Sequence, residues 1–203
     1  NIGAIILAAG SSQRLPGQNK LLLPLKGQPM IMHSLSAART AGLHPVVTVL
    51  GYEAQTLLPL LNDPQIIVVT NDGWVNGMGS SISAGITALP AALSGVAILL
   101  ADMPLIGAPL LERLAAEFSR QGLDKIIAPC YNKQRGNPVI FPRKYFDELL
   151  ALDGETGGRK IILRHETEVV LVSVTDSAVL KDCDTRADYS ALDGGTGNTL
   201  EAE

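Results

Sequence analysis

An apolar run, Ile2 to Ala8, stops at Ala9-Gly10 and gives way to a small polar loop carrying Ser11, Ser12, Arg14, Gly17 and Lys20. This stretch constrains the fold more than any other. A short aliphatic run with no alternating polar positions predicts a strand buried on both faces, as parallel sheets under helices require. Similar runs recur at Pro45–Leu50 (PVVTVL), Ile66–Val69, Gly95–Leu100 (GVAILL), Lys125–Pro129, Val139–Phe141 and Glu168–Val174. Helical patterns separate them: Pro29 to Ala41, Glu53 to Leu61, Ser81 to Leu89, Pro109 to Gln121, Tyr145 to Leu150 and the stretch KIILRH. A last short helix is expected to end near Leu192. Pro29 and Pro109 suit first helical turns, and Gly42 and Gly122 suit helix stops. Strands and helices alternate through the first two-thirds of the chain, which implies right-handed βαβ crossovers. The expected fold class is α/β: a three-layer, open, mostly parallel sheet of Rossmann-like type. Pro24 argues against a central strand at 21–25.

Composition supports this reading. Of 203 residues, 46% are hydrophobic and only 4% aromatic, so the core is built from aliphatic side chains. The length suits one domain, expected over 1–192, with 130–175 a possible lobe on the acceptor side. The Gly-, Thr- and acid-rich tail 193–203 is expected to be disordered. A net charge of -4 argues against nucleic-acid binding, which needs a basic face. No apolar run approaches the roughly 20 residues of a membrane span. Ile2–Ala8 is too short, and lacks the basic flank, for a leader. Asn1 in place of Met fits a numbering that begins inside a longer chain. Cys130 and Cys183 are expected to be reduced thiols in a cytoplasmic protein.

Ligands in open α/β sheets sit at the carboxyl ends of strands. The loops 9–20, 71–81 and 102–104 all follow strands. The first lacks both G-x-x-x-x-G-K-[ST] and G-x-G-x-x-G, so neither common phosphate fingerprint applies. It retains the physical parts: Gly10 for close backbone approach, Ser11 and Ser12 as donors, and Arg14 and Lys20 as cations. These suit a triphosphate; a solvated turn is the competing reading. Asp102 ends a buried strand before Met103-Pro104, where it either caps a turn or holds a hard cation such as Mg²⁺. Asp182 and Asp184 offer a second carboxylate, although Asp184 or Thr185 also suits a helix N-cap. Residues 70–81 predict a long, mobile loop whose turn into a helix presents N–H groups to an anion or a base edge. Arg135-Gly136-Asn137-Pro138 and Gly154–Arg159 look like substrate-contacting loops or plain turns. His33, His44 and His165 have no ligand spacing, zinc lacks a CxxC pair, and no Ser-His-Asp set suggests hydrolysis.

Taken together, these segments are recognisable. LAAGSSQRLPGQNK resembles the signature of the MobA-like nucleotidyltransferases, which share the nucleotide-diphospho-sugar transferase fold. NDGWVNGMGSSISAG, LLADMP, RGNPVIF, GETGGR and DCDTRADY resemble the molybdenum cofactor cytidylyltransferase branch. The resemblance spans residues 3 to about 190. It implies nucleotide binding by Ala8, Ala9, Gly10, Ser12, Arg14, Lys20, Gly79 and Ser81, with Arg14, Lys20 and Asp102 serving catalysis. It implies Mg²⁺ on Asp102 and Asp184, and acceptor contacts from Gly136, Asn137, Pro138, Gly157 and Arg159. Asn137 stands where relatives carry His, and Glu155 where they carry Asp. Ala-Ala-Gly favours CTP over GTP. The implied acceptor is a molybdopterin-type phosphate, and a recipient molybdoenzyme is an implied partner. A guanylyltransferase, a sugar- or polyol-phosphate cytidylyltransferase and a non-catalytic cofactor carrier are the rival readings.

Overall fold

β-branched and aliphatic runs form the strands where expected, and helices fill the intervals between them. The computed structural model describes residues 1–11 and 19–192. Strand β1 (Ile2–Ala8) leads to a small hairpin, β2 (Pro24–Leu25) and β3 (Gln28–Pro29), outside the main sheet. Then follow α1 (Met30–Thr40), β4 (Val46–Leu50), α2 (Ala54–Leu57), β5 (Ile66–Thr70), α3 (Met78–Thr87), β6 (Gly95–Leu100) and α4 (Ala108–Arg120). The last third holds β7 (Ile126–Tyr131), β8 (Gln134–Arg135), β9 (Val139–Pro142), α5 (Phe146–Leu150), α6 (Arg159–Arg164), β10 (Val169–Ser173) and α7 (Arg186–Leu192).

Among the described residues, eight strands form one sheet in the order β10-β7-β9-β6-β1-β4-β5, with β8 paired to β7. The β1, β4, β5 and β6 pairings are parallel, as is β10 with β7, while β9 runs antiparallel to both β6 and β7. The period of two along each strand divides the core into two layers. Ala4, Ile6, Ala97 and Leu99 face α1, α2 and α4 on one side. Ile5, Val47, Val96 and Ile98 face α3, α5 and α6 on the other. Phe118 and Phe141 are fully buried, one in each layer. This is the three-layer α/β architecture expected from the sequence.

Residues 70–81 depart from expectation. A 3-10 turn spans Trp74–Asn76, and α3 begins at Met78 rather than Ser81. The glycines that signalled a loop serve a close chain crossing instead. Gly77 has φ +97°, and a Cβ on it would lie 2.5 Å from the Gly154 carbonyl carbon; one on Gly79 would lie 2.7 Å from that of Asp153. The Gly79 N–H donates to the Gly154 carbonyl at 2.9 Å. No helix among the described residues is long and apolar enough to cross a membrane.

Candidate active site

The carboxyl ends of β1 and β6 lie side by side because the two strands pair from Ile2↔Gly95 to Leu7↔Leu100. The Ala101 N–H extends that ladder by donating to the Leu7 carbonyl at 3.0 Å. Asp102 therefore emerges beside the loop that follows β1. Its own carbonyl accepts the Cys183 N–H at 2.8 Å, which brings the chain's last segment to the same place. Asp184 is the next acidic residue along that segment.

The helix-cap alternative for Asp184 is resolved by its neighbours. The Thr185 hydroxyl accepts the Asp188 N–H at 3.1 Å, and the Asp188 carboxylate accepts the Thr185 N–H at 2.7 Å. This reciprocal pair is a capping box at the start of α7. Thr185 caps the helix and the Asp184 side chain is directed elsewhere: it meets Lys20.

Lys20 follows Asn19, whose side chain accepts the Leu21 N–H at 3.1 Å and so starts a 3-10 turn over Lys20–Leu22. Leu21 is buried in the α1 layer, and the turn aims the Lys20 ammonium at the two carboxylates. Its Nζ lies 2.7 Å from Asp102 and 2.6 Å from Asp184. Burial pulls the Lys20 pKa down, but Asp102 and Asp184 together outweigh it and the net shift is upward.

A cleft of about 530 Å³ opens above this triad. Ala9, Gly10 and Ser11 form one wall, Trp74, Gly77, Met78 and Ser81 another, and Asp102, Asp182 and Asp184 the floor. The Ser81 hydroxyl accepts from the Asn71 side-chain amide at 3.0 Å. A second chamber of about 210 Å³ adjoins, since Met78 and Leu100 line both. Arg135, Asn137, Thr156, Gly158 and Arg159 supply its polar lining.

Residues singled out in the sequence thus sort by position. Gly10, Ser81, Asp102, Asp184 and Ala9 surround the main cleft, with Ala8 buried at the end of β1 just behind them. Asn137 and Arg159 face the second chamber. Gly136 and Gly79 are buried chain crossings: a Cβ on Gly136 would meet the Val179 carbonyl oxygen at 2.3 Å. Gly157, at φ +49°, packs against the Met78 sulfur, and Pro138 is buried at the foot of β9. Ser12 and Arg14 lie outside the described residues. Sequence reasoning did not single out Trp74 or Met78 in the cleft wall, whereas Glu155, also in that lining, belongs to the Gly154–Arg159 loop it had marked. It also passed over Arg135 as an individual contact, although the RGNP quartet was the available signal.

Two carboxylates that one ammonium nitrogen touches at once can be bridged by a single cation. Hard oxygen donors of this kind suit a divalent ion that keeps water and substrate phosphate as its other ligands. Among the described residues no cluster of three or more His, Cys, Asp or Glu is placed to hold a metal alone. The site therefore fits a cation shared with a phosphate-bearing substrate and not an all-protein cage.

Residues 4–169 match the model of the MobA-like NTP transferase domain. Nicotine blue oxidoreductase of Paenarthrobacter nicotinovorans is 28% identical over 192 residues, covering 91% of this chain and 92% of that protein. Purine catabolism protein PucB of Bacillus subtilis is 30% identical over 202 residues, covering 93% and 94%. The bifunctional protein GlmU of Kineococcus radiotolerans is 36% identical over 122 residues, but the match spans only 25% of that longer protein. The crystal structure of Rv0371c from Mycobacterium tuberculosis superposes with a TM-score of 0.82 at 28% identity, covering 95% of this chain and 97% of that one. A manganese complex of the same protein superposes with a TM-score of 0.77 at 26% identity, covering 94% and 97%. Matched over most of its length in both sequence and fold, this chain belongs to the MobA-like NTP transferase family and is a nucleotidyltransferase.

Proposed function

We propose that the protein transfers CMP from CTP to the terminal phosphate of a molybdopterin-type acceptor, with release of pyrophosphate. The observation that carries this reading is the convergence of Lys20 on Asp102 and Asp184, two carboxylates that line a strand-end cleft. Transfer of this kind asks the protein for positioning and charge stabilisation. A phosphate monoester is already largely ionised near neutral pH, so no general base is needed. Ala9, Gly10 and Ser11 would bind the triphosphate, joined by Ser12 and Arg14. Lys20 would leave its carboxylates to neutralise charge on the departing pyrophosphate. Asp102 and Asp184 would hold Mg²⁺, which would supply Lewis acidity to the transfer. Ser81 and the α3 N-terminus would face the base and ribose, and Asn137 and Arg159 the acceptor.

Pyrophosphate release, measured with CTP or GTP and with or without molybdopterin, tests the reading. CTP- and acceptor-dependent release is expected. Release with GTP alone would move the assignment to a guanylyltransferase, and tight cofactor binding without any release would move it to a carrier. Asp102→Ala should abolish turnover while leaving most nucleotide affinity; unchanged turnover at saturating Mg²⁺ would remove Asp102 from the metal site.

A further inference from the structure

Arg135 and Arg159 stand together without an acid between them. Arg135 lies on β8, opposite Cys130 of β7, and Arg159 opens α6. Among the described residues neither guanidinium has a salt-bridge or side-chain hydrogen-bond partner. Glu166 lines the same outer rim yet pairs with neither. Burial lowers the Arg135 pKa from its ordinary value, and the Arg159 charge lowers it further. Arg135 nonetheless stays charged, because a guanidinium does not deprotonate in proteins. A half-buried Arg135 beside the like charge of an exposed Arg159 is a repulsion that a counter-anion would relieve.

The surroundings say what kind of anion. Arg135 and Arg159, with Ile162, line both the 210 Å³ chamber and an adjoining groove of about 520 Å³. The chamber's apolar lining includes Ile82, Ile98, Val139 and Phe141, and Met78 and Leu100 line both the chamber and the main cleft. A ligand entering from the cleft would meet apolar wall along its body and two positive forks at its edge. Two guanidiniums match the double charge of a phosphate monoester, and each can grip two oxygens in its plane.

We infer that Arg135 and Arg159 together form a clamp for an oxyanion of the phosphate-monoester class, carried on an apolar organic body that packs against Ile82, Val139 and Phe141. The inference rests on the acceptor side of the site lying in this chamber, as the proposed function has it. It adds Arg135 to that side and makes the two arginines one recognition unit.

Phenyl phosphate combines the anion with a flat apolar body. Its binding to the full chain, measured by calorimetry in metal-free buffer, is compared across wild type, R135Q, R159Q, R135K and K20Q. R135Q and R159Q should each weaken binding by about 10- to 100-fold, the loss expected for a charge-assisted hydrogen bond. R135K, which keeps the charge but not the fork, should fall between, and K20Q should bind like wild type. In the absence of ligand R135Q and R159Q should melt no lower than wild type, because each relieves repulsion. Undiminished binding in both arginine variants overturns the clamp, as does no binding to wild type. So does a loss that follows K20Q, which would put the anion in the nucleotide cleft, or a lower ligand-free melting temperature in both arginine variants, which would make the pair structural. A separate titration with CTP and Mg²⁺ addresses the nucleotidyl-transfer reading; failure there with the phenyl phosphate pattern intact sinks that reading and spares the clamp.

Discussion

One ammonium meets two carboxylates at once, and the triad of Lys20, Asp102 and Asp184 is only partly open to water. Their side chains are 11%, 23% and 33% exposed. Removing the ammonium would take away a counter-charge that both carboxylates share. Breaking a fully buried pair costs roughly 3–5 kcal/mol, and the exposure of these carboxylates reduces that to about 1–3 kcal/mol. Lys20→Met is therefore expected to melt lower than wild type in EDTA, and Mg²⁺ should recover part of the deficit by replacing the lost positive charge. Identical melting of the two proteins in EDTA would show that the bridge adds no net stability. The pH dependence has a definite sign. Because the Lys20 pKa is raised on folding, the bridge's contribution is complete below the ordinary lysine value near ~10.4 and fades as pH rises through the folded value. Sequence reading placed Lys20 near phosphate but not between these carboxylates. The partners are 82 and 164 residues away, a separation across which no local pattern carries information.

The start of α3 shows how one element can carry both packing and binding. Three glycines in 71–79 read naturally as a flexible loop, and the run does hold a turn. Two of them are small because the backbone of residues 153–155 crosses directly over them. Glycine signals a close approach in sequence, but not whether a ligand or another part of the chain approaches. Substitution separates the cases. Gly79→Ala drives a Cβ to 2.7 Å from backbone that cannot swing aside, so a stability loss of about 1–3 kcal/mol is expected. The same change should displace the loop that carries Glu155 and Arg159 and so weaken acceptor use. Gly10 is the counterpart: among the described residues nothing lies within 4 Å of the position a Cβ on it would take. Gly10→Ala should leave the melting temperature nearly unchanged and weaken CTP binding about tenfold or more if the backbone there approaches phosphate. Chemical denaturation and nucleotide titration of both variants check this. Equal nucleotide affinity for Gly10→Ala and wild type would take that backbone out of the triphosphate site.

At the scale of the whole molecule, the site joins the two ends of the described chain. Lys20 comes from the segment after β1, Asp102 from the centre of the sheet, and Asp184 from the segment before α7. Hydrogen bonds fasten that last segment besides the Lys20–Asp184 pair: the Val179 carbonyl accepts the Asn137 N–H, the Cys183 N–H donates to the Asp102 carbonyl, and the Tyr189 hydroxyl donates to the Pro24 carbonyl. The layers of the fold were legible because buried strands and amphipathic helices are written in short periods. The antiparallel insertion of β9 between β6 and β7 was not, since a four-residue apolar strand carries no mark of direction. Cys183 tests whether the C-terminal segment stays fastened. It is fully buried, and burial, the largest influence on its thiol, pushes the pKa up to about 11. On the order of one thiol in a thousand is then ionised at pH 8, and only the thiolate reacts. Cys183 should therefore resist a thiol reagent at pH 8 in the native protein and become reactive only as denaturant opens the structure. A C183S variant assigns the signal, since Cys130 is the second thiol. If the segment were loosely docked, Cys183 would react in native buffer at nearly the rate of a free thiol, and Asp184 could not be a fixed part of the site. Protection that rises further with CTP and Mg²⁺ is the expected result, because ligands held across Asp102 and Asp184 stabilise the same closed arrangement by mass action.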